Sequence, residues 1–186
     1  MSIIYLDMTL SQKSLFISRL ALLIALAIVV QMAGLPQPIT GPIINALLFT
    51  TAAIISAYAG ILLGCITPLV ALIRGQLPPV LAPLIPVIAV ANAILVVTFY
   101  VINYKIKTKY RFVSHVKIYL AIIAASITKF LFLTLAVKII FPMVVGYLLP
   151  EKVAALLMTP QLLTALAGGV LFLGILKILV LSPVSC

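Results

Sequence analysis

Apolar residues run through this chain in blocks far longer than a buried strand needs, and short stretches rich in glycine, proline and polar residues separate them. The blocks do not alternate apolar with polar positions, as barrel strands or half-buried strands would. Each approaches the roughly 20 residues that carry a helix across a bilayer. Lipid offers the backbone no hydrogen-bond partner, so such segments must close their own bonds as helices. The pattern predicts an all-α fold, a polytopic membrane bundle of six transmembrane helices in a single membrane domain, at residues 15–33, 43–58, 60–73, 84–104, 118–141 and 161–181.

The stretch 43–73 can be read in two ways. As one long span it would put the basic segment 105–117 on the side opposite Lys13 and Arg19. As two short helices turning near Tyr58-Ala59-Gly60, it gathers Lys13, Arg19, Lys105, Lys107, Lys109, Arg111, Lys117 and Lys177 on one side. Only Arg74, Glu151 and Lys152 then remain in the opposite connections. Cytoplasmic loops carry an excess of Lys and Arg, which favours the split and predicts both termini in the cytoplasm. Two short spans are tolerable if they tilt, kink at Pro68 or extend into the neighbouring loops. The first block, after Lys13 and Arg19, looks superficially like a signal sequence. It is long and lacks a convincing small-x-small cleavage site, so a retained span is expected.

Composition agrees: 66% of residues are hydrophobic and 8% charged, too few polar side chains to cover a soluble domain. The net charge of +10 comes from twelve Lys and Arg against two acids, Asp7 and Glu151. In a soluble chain that excess would suggest nucleic acid. Here the basic residues flank apolar blocks and read as topology signals, so membrane lipid and not nucleic acid is the expected surrounding. Cys65 lies within an apolar block and Cys186 is last, so neither suggests a disulfide framework, and Cys186 is misplaced for prenylation.

Several chemistries are missing. No G-x-x-x-x-G-K-[ST] phosphate loop occurs. His115 has no second histidine or acid nearby with which to share a metal. Neither acid lies in a span, which removes paired-carboxylate catalysis and acid-based proton relays. An enzyme is not expected, nor a metal, nor a cofactor.

Polar residues inside the spans are the positive signal. Lys129 falls near the middle of 118–141, where a charge costs about 2.5–3.5 kcal/mol on insertion scales. Either it snorkels or meets carbonyls within the bundle, or it lines a ligand pocket. Lys138 lies about two and a half turns further on, on the opposite face and near the outer end, where snorkelling is easy. Asn92, Asn45 and Gln31 fall toward the outer half of their helices, as do Gln161 and Thr164, with Thr40 in the turn-rich stretch nearby. Singly, such groups usually make interhelical hydrogen bonds. Together with Lys129 they suggest an outward-facing polar pocket. Arg74, in a Gly/Pro-bounded loop, is either a lid or anion partner, or a solvated arginine. Small residues add two stripes, Ala21-x-x-x-Ala25 with Ser18 before it, and Gly60-x-x-x-Gly64; this spacing lets helices approach closely.

With these features in hand, the chain resembles the substrate-binding S-components of energy-coupling factor (ECF) vitamin transporters along nearly its whole length. The residues that carry the likeness are Ala21-Leu22-Leu23-Ile24-Ala25, similar to the family's AxxxA motif, the loop from Leu35-Pro36-Gln37-Pro38 through Gly41-Pro42 to Asn45-Ala46, Gly60-Ile61-Leu62-Leu63-Gly64, Thr67-Pro68-Leu69 and Arg74-Gly75-Gln76-Leu77-Pro78-Pro79. The resemblance implies a capture subunit for a small-molecule substrate, a vitamin or related micronutrient, held near the outer face beneath gates at 36–42 and 74–79. It implies docking through Ala21 and Ala25 onto an ECF coupling transmembrane subunit, driven by two ATPase subunits on separate chains. The substrate expected from Lys129, Lys138 and Arg74 is anionic or neutral. No Met-His-Ile-Pro amino terminus like that of the nickel and cobalt members is present. The competing expectations are a stand-alone secondary transporter or facilitator, which usually shows an internal repeat, and a structural membrane protein without ligand.

Overall fold

The computed structural model describes residues 9–76, 79–105, 111–146, 154–155 and 158–181. Asp7, Glu151, Lys152 and Cys186, the basic residues Lys107 and Lys109, and Leu77 and Pro78 of the second expected gate lie outside the described residues.

Among the described residues the chain forms six main helices and no strand. These are α1 (Leu10–Met32), α2 (Gln37–Ile54), α3 (Ala57–Ile73), α4 (Ile85–Tyr100), α5 (Arg111–Leu135) and α6 (Thr159–Leu181). Four apolar stretches have span length and composition: Leu10–Met32, Ala82–Lys105, Val116–Met143 and Thr159–Leu179. With shorter apolar helices beside these, the chain is a multi-pass membrane protein.

The split of 43–73 is present, and its turn falls a few residues earlier than expected. Helix α2 ends at Ile54, and Ser56 starts α3 by accepting the Ala59 N–H on its hydroxyl at 3.1 Å. A serine at this position satisfies one of the open donors of the first turn, which is why the chain reverses here and not at Gly60.

The stretch 36–42 departs from expectation more strongly. It was expected as a loop, yet α2 begins at Gln37 and runs through Pro38, Gly41 and Pro42. Proline is compatible with the first helical turn, whose N–H groups have no partner in the helix, so Pro38 sits in the opening turn of α2. Gly41 serves packing: a Cβ there would lie 2.8 Å from Thr164 Cγ2 of α6.

Two other connections are partly helical. Helix α4 is preceded by a 3₁₀ segment (Pro79–Leu84) and continues through a π turn (Val101–Lys105). Helix α5 continues through a π turn (Ala136–Ile140) to Phe141–Val145, ending at Gly146 with φ 81°. The Phe141 N–H bonds back to Ala136 O, five residues earlier, and this longer-pitch bond carries the helix past Pro142, which has no N–H to offer.

Helix α2 is the hub. It carries ten buried residues, against two on α1, and packs most extensively on α6. Gly168 of α6 permits that approach, since a Cβ there would lie 2.6 Å from Asn45 Cβ and 2.7 Å from Pro42 O. The Gly60/Gly64 stripe belongs to the α3–α4 contact: Cβ atoms there would meet Val96 Cγ1 and Asn92 Cβ, each at 2.9 Å. Below this layer Phe49, Phe99 and Phe172 of α2, α4 and α6 interlock with ring centroids 5.0, 5.5 and 5.9 Å apart. The Phe99 contacts are edge-on, the favoured arrangement for aromatic quadrupoles.

Candidate ligand-binding site

A cavity of about 100 Å³ lies at one end of the bundle. Helix α1 reaches it at Gln31 and α3 at Thr67, Pro68 and Ala71, near their C-terminal ends. Helices α2, α4 and α6 reach it from their N-terminal portions, at Thr40, Asn45, Ile88, Asn92 and Gln161, and α5 contributes Lys129. The helices therefore alternate in direction, and α1 begins and α6 ends at the end away from the cavity.

Lys129 is 3% exposed. Its ammonium donates to Asn45 Oδ1 at 2.8 Å, its one hydrogen bond among the described residues. Asn45 in turn donates from Nδ2 to Gly41 O, one turn earlier, at 2.9 Å, and this second bond aims its carbonyl at the lysine. No Asp or Glu occurs among the described residues, so the lysine meets a neutral dipole and not a counter-charge. A buried cation satisfied only in part is costly, and a ligand that brings negative charge offsets that cost.

On the other wall a proline shapes the network. Pro68 has no N–H, so the Gly64 carbonyl four residues earlier has no helical partner. Asn92 Nδ2 supplies one from α4 at 3.0 Å, and Thr67 Oγ1 donates to the same oxygen at 3.4 Å. Asn92 Nδ2 also lies 3.4 Å from Thr67 Oγ1. Gln31 Nε2 donates to Thr67 O at 2.9 Å, tying the end of α1 to α3. Gln31 Oε1 is buried and has no partner among the described residues.

The second expected gate is tied to the end of α1 and to the connection that precedes the first. Arg74 Nε donates to Met32 O at 3.3 Å, and Gln76 Nε2 donates to Leu35 O at 3.1 Å. Gly34, at φ 74°, lies beneath the arginine, where a Cβ would come 2.8 Å from the guanidinium. The left-handed backbone favours glycine here.

Of the residues expected from the sequence, the cavity brings together Lys129, Asn45, Asn92, Gln31 and Thr40. Lys138 is exposed on the π turn of α5 and does not line it, nor does Arg74, which grips the α1–α2 connection instead. Gln161 lines it too, Gln37 and Gln76 line it from within the two expected gates, and Thr67 lines it without having been proposed as a binding residue. Thr67 could have been found beside Pro68, since a proline in a span exposes a carbonyl that nearby polar groups must satisfy. Ala21 and Ala25 are exposed on α1, well away from the cavity lining.

Compared with known proteins, the chain matches over residues 15–185 a family model described as ECF transporter, substrate-specific component. No curated protein and no solved structure matches it significantly.

Proposed function

The chain belongs to the substrate-specific components of ECF transporters, a transporter family and not an enzyme family, and on that premise we propose that it captures a vitamin-like, anionic micronutrient in the cavity around Lys129. The observation that carries this reading is the buried ammonium at the cavity wall, held by the single neutral acceptor Asn45 at 2.8 Å. A carboxylate placed there gains a charge-assisted hydrogen bond in a site with little competing water. The carboxamides of Asn92 and Gln31 and the hydroxyls of Thr40 and Thr67 supply orientation.

We place the chain in a prokaryotic cell membrane, and its charge pattern supports both termini in the cytoplasm, because Lys13, Arg19, Lys105, Lys117 and Lys177 then lie on the inner side. The cavity then opens outward, with the Arg74 and Gln76 contacts as its gate. The exposed Ala21/Ala25 stripe is the docking face for the coupling subunit, and two ATPase chains supply the energy that this chain has no phosphate loop to provide.

Co-expression with a coupling subunit and its two ATPases tests this directly. The expected result is a stable complex that concentrates the small molecule in an ATP-dependent manner. No complex, together with transport by the chain alone in liposomes, would establish the secondary-transporter reading instead.

A further inference from the structure

The two walls of the cavity present opposite chemistry. Lys129 offers N–H donors beyond the one taken by Asn45. Gln31 offers the reverse: its Nε2 is committed to Thr67 O at 2.9 Å, which turns Oε1 away from that carbonyl, and this oxygen is a buried acceptor without a partner among the described residues. Both residues line the same cavity and both are more than nine-tenths buried, at 3% and 5% exposure. A buried acceptor with no donor is destabilising unless something supplies one. The terminal torsion of glutamine is soft, so a small turn carries Oε1 toward a donor in the cavity.

We infer that the ligand is bifunctional: an aliphatic monocarboxylate that meets Lys129 and also carries an amide N–H or a hydroxyl received by Gln31 Oε1. This rests on the capture reading above. A single lysine balances a single negative charge, which favours a carboxylate over a phosphate dianion. The remaining walls are carboxamides, threonines and the aliphatic side chains of Ile44, Ala71 and Ile88, which grip a ligand by hydrogen bonds and methylene contacts and not by ring stacking. The second contact has a structural consequence. Gln31 and Ala27 are the buried residues of α1, so a ligand held by Gln31 pins the cavity end of an otherwise lightly packed helix.

The test uses the full chain purified in mild detergent, with three probes: N-acetyl-β-alanine, its methyl ester, and butanoate, which keeps the carboxylate and loses the amide. Thermal unfolding and titration calorimetry read the binding. N-acetyl-β-alanine is expected to stabilise the protein, the ester to have no effect, and butanoate to bind about tenfold more weakly, the loss of one hydrogen bond's worth of affinity. Gln31→Leu is expected to remove the difference between the two carboxylates while both still bind. Lys129→Met is expected to abolish both. Equal binding of acid and ester, an undiminished preference for the amide in Gln31→Leu, or no response to either carboxylate at millimolar concentration overturns the inference. Mass spectrometry of the small molecule that co-purifies gives an independent reading, since a cation, or a carboxylate with no N–H or O–H donor, also overturns it. Assembly with the coupling and ATPase subunits is scored separately, so the capture reading can survive the loss of this one.

Discussion

Lys129 Nζ of α5 and Asn45 Oδ1 of α2 meet at 2.8 Å, although 84 positions separate them in the chain. The bond joins the one buried charge among the described residues to the most buried helix. Its neutrality is the key to its behaviour, because a partner without charge leaves the lysine only partly compensated.

Replacing the lysine therefore separates stability from binding. Lys129→Met keeps much of the side-chain volume and removes the cost of a buried charge, which offsets the roughly 1–3 kcal/mol lost by leaving Asn45 Oδ1 without its donor. The expected outcome is an unliganded protein with an equal or higher unfolding temperature that has lost the co-purifying small molecule. Unfolding scans in detergent and small-molecule mass spectrometry read the two effects.

The Pro68–Asn92 relationship predicts non-additive variants. Asn92→Leu leaves the Gly64 carbonyl with only the longer Thr67 Oγ1 contact at 3.4 Å and is expected to cost about 1–3 kcal/mol. Pro68→Ala restores the N–H that can serve the same oxygen. The double variant is therefore expected to be more stable than Asn92→Leu alone, with a coupling of about 0.5–3 kcal/mol in a double-mutant cycle.

Helix α6 is placed by a glycine. Gly168→Ala puts a methyl group 2.6 Å from Asn45 Cβ and against Pro42 O. It is expected to destabilise the fold by about 1–3 kcal/mol through overpacking and to weaken ligand binding by displacing Asn45. Gly174→Ala, whose Cβ would meet nothing within 4 Å, is the matched control and is expected to be neutral or slightly stabilising.

The gate contacts are exposed hydrogen bonds, each worth about 0.5–1.5 kcal/mol. Arg74→Ala and Gln76→Ala are expected to speed ligand release by about two- to tenfold each while leaving the fold intact. Ligand-exchange kinetics on the purified protein measure the effect.

Bulky replacements on the exposed stripe of α1 test docking. Ala21→Leu and Ala25→Leu are expected to leave unfolding temperature and ligand binding unchanged and to abolish ATP-dependent uptake. Loss of binding in either variant would place these residues in the fold and not at an interface.

Long apolar blocks and their basic flanks made the helical membrane class legible from sequence, because a bilayer imposes length and backbone satisfaction on each segment separately. The same local logic located Lys129, Asn92, Asn45 and Gln31, since polar groups in spans are conspicuous whatever they touch. It failed where proline and glycine do two jobs. At 36–42 they read as turn signals in sequence, whereas Pro38 sits in the first turn of α2 and Gly41 admits Thr164. Thr40 lines the cavity from a helix and not from a loop.

What the sequence determined by itself was the all-helical membrane character of the chain, the division of 43–73 and the inventory of intramembrane polar residues. Only the tertiary structure decided that Lys129 and not Lys138 reaches the cavity, that Arg74 grips Met32 O and does not line the pocket, and that Gln31, whose Oε1 has no partner among the described residues, lines the same cavity. The reason is physical. Burial in a bilayer acts on each segment alone and leaves its mark in local composition, while the partners of a side chain depend on which helices pack together and at what rotation, set here by close approaches at Gly64 and Gly168 that neighbours in sequence do not reveal.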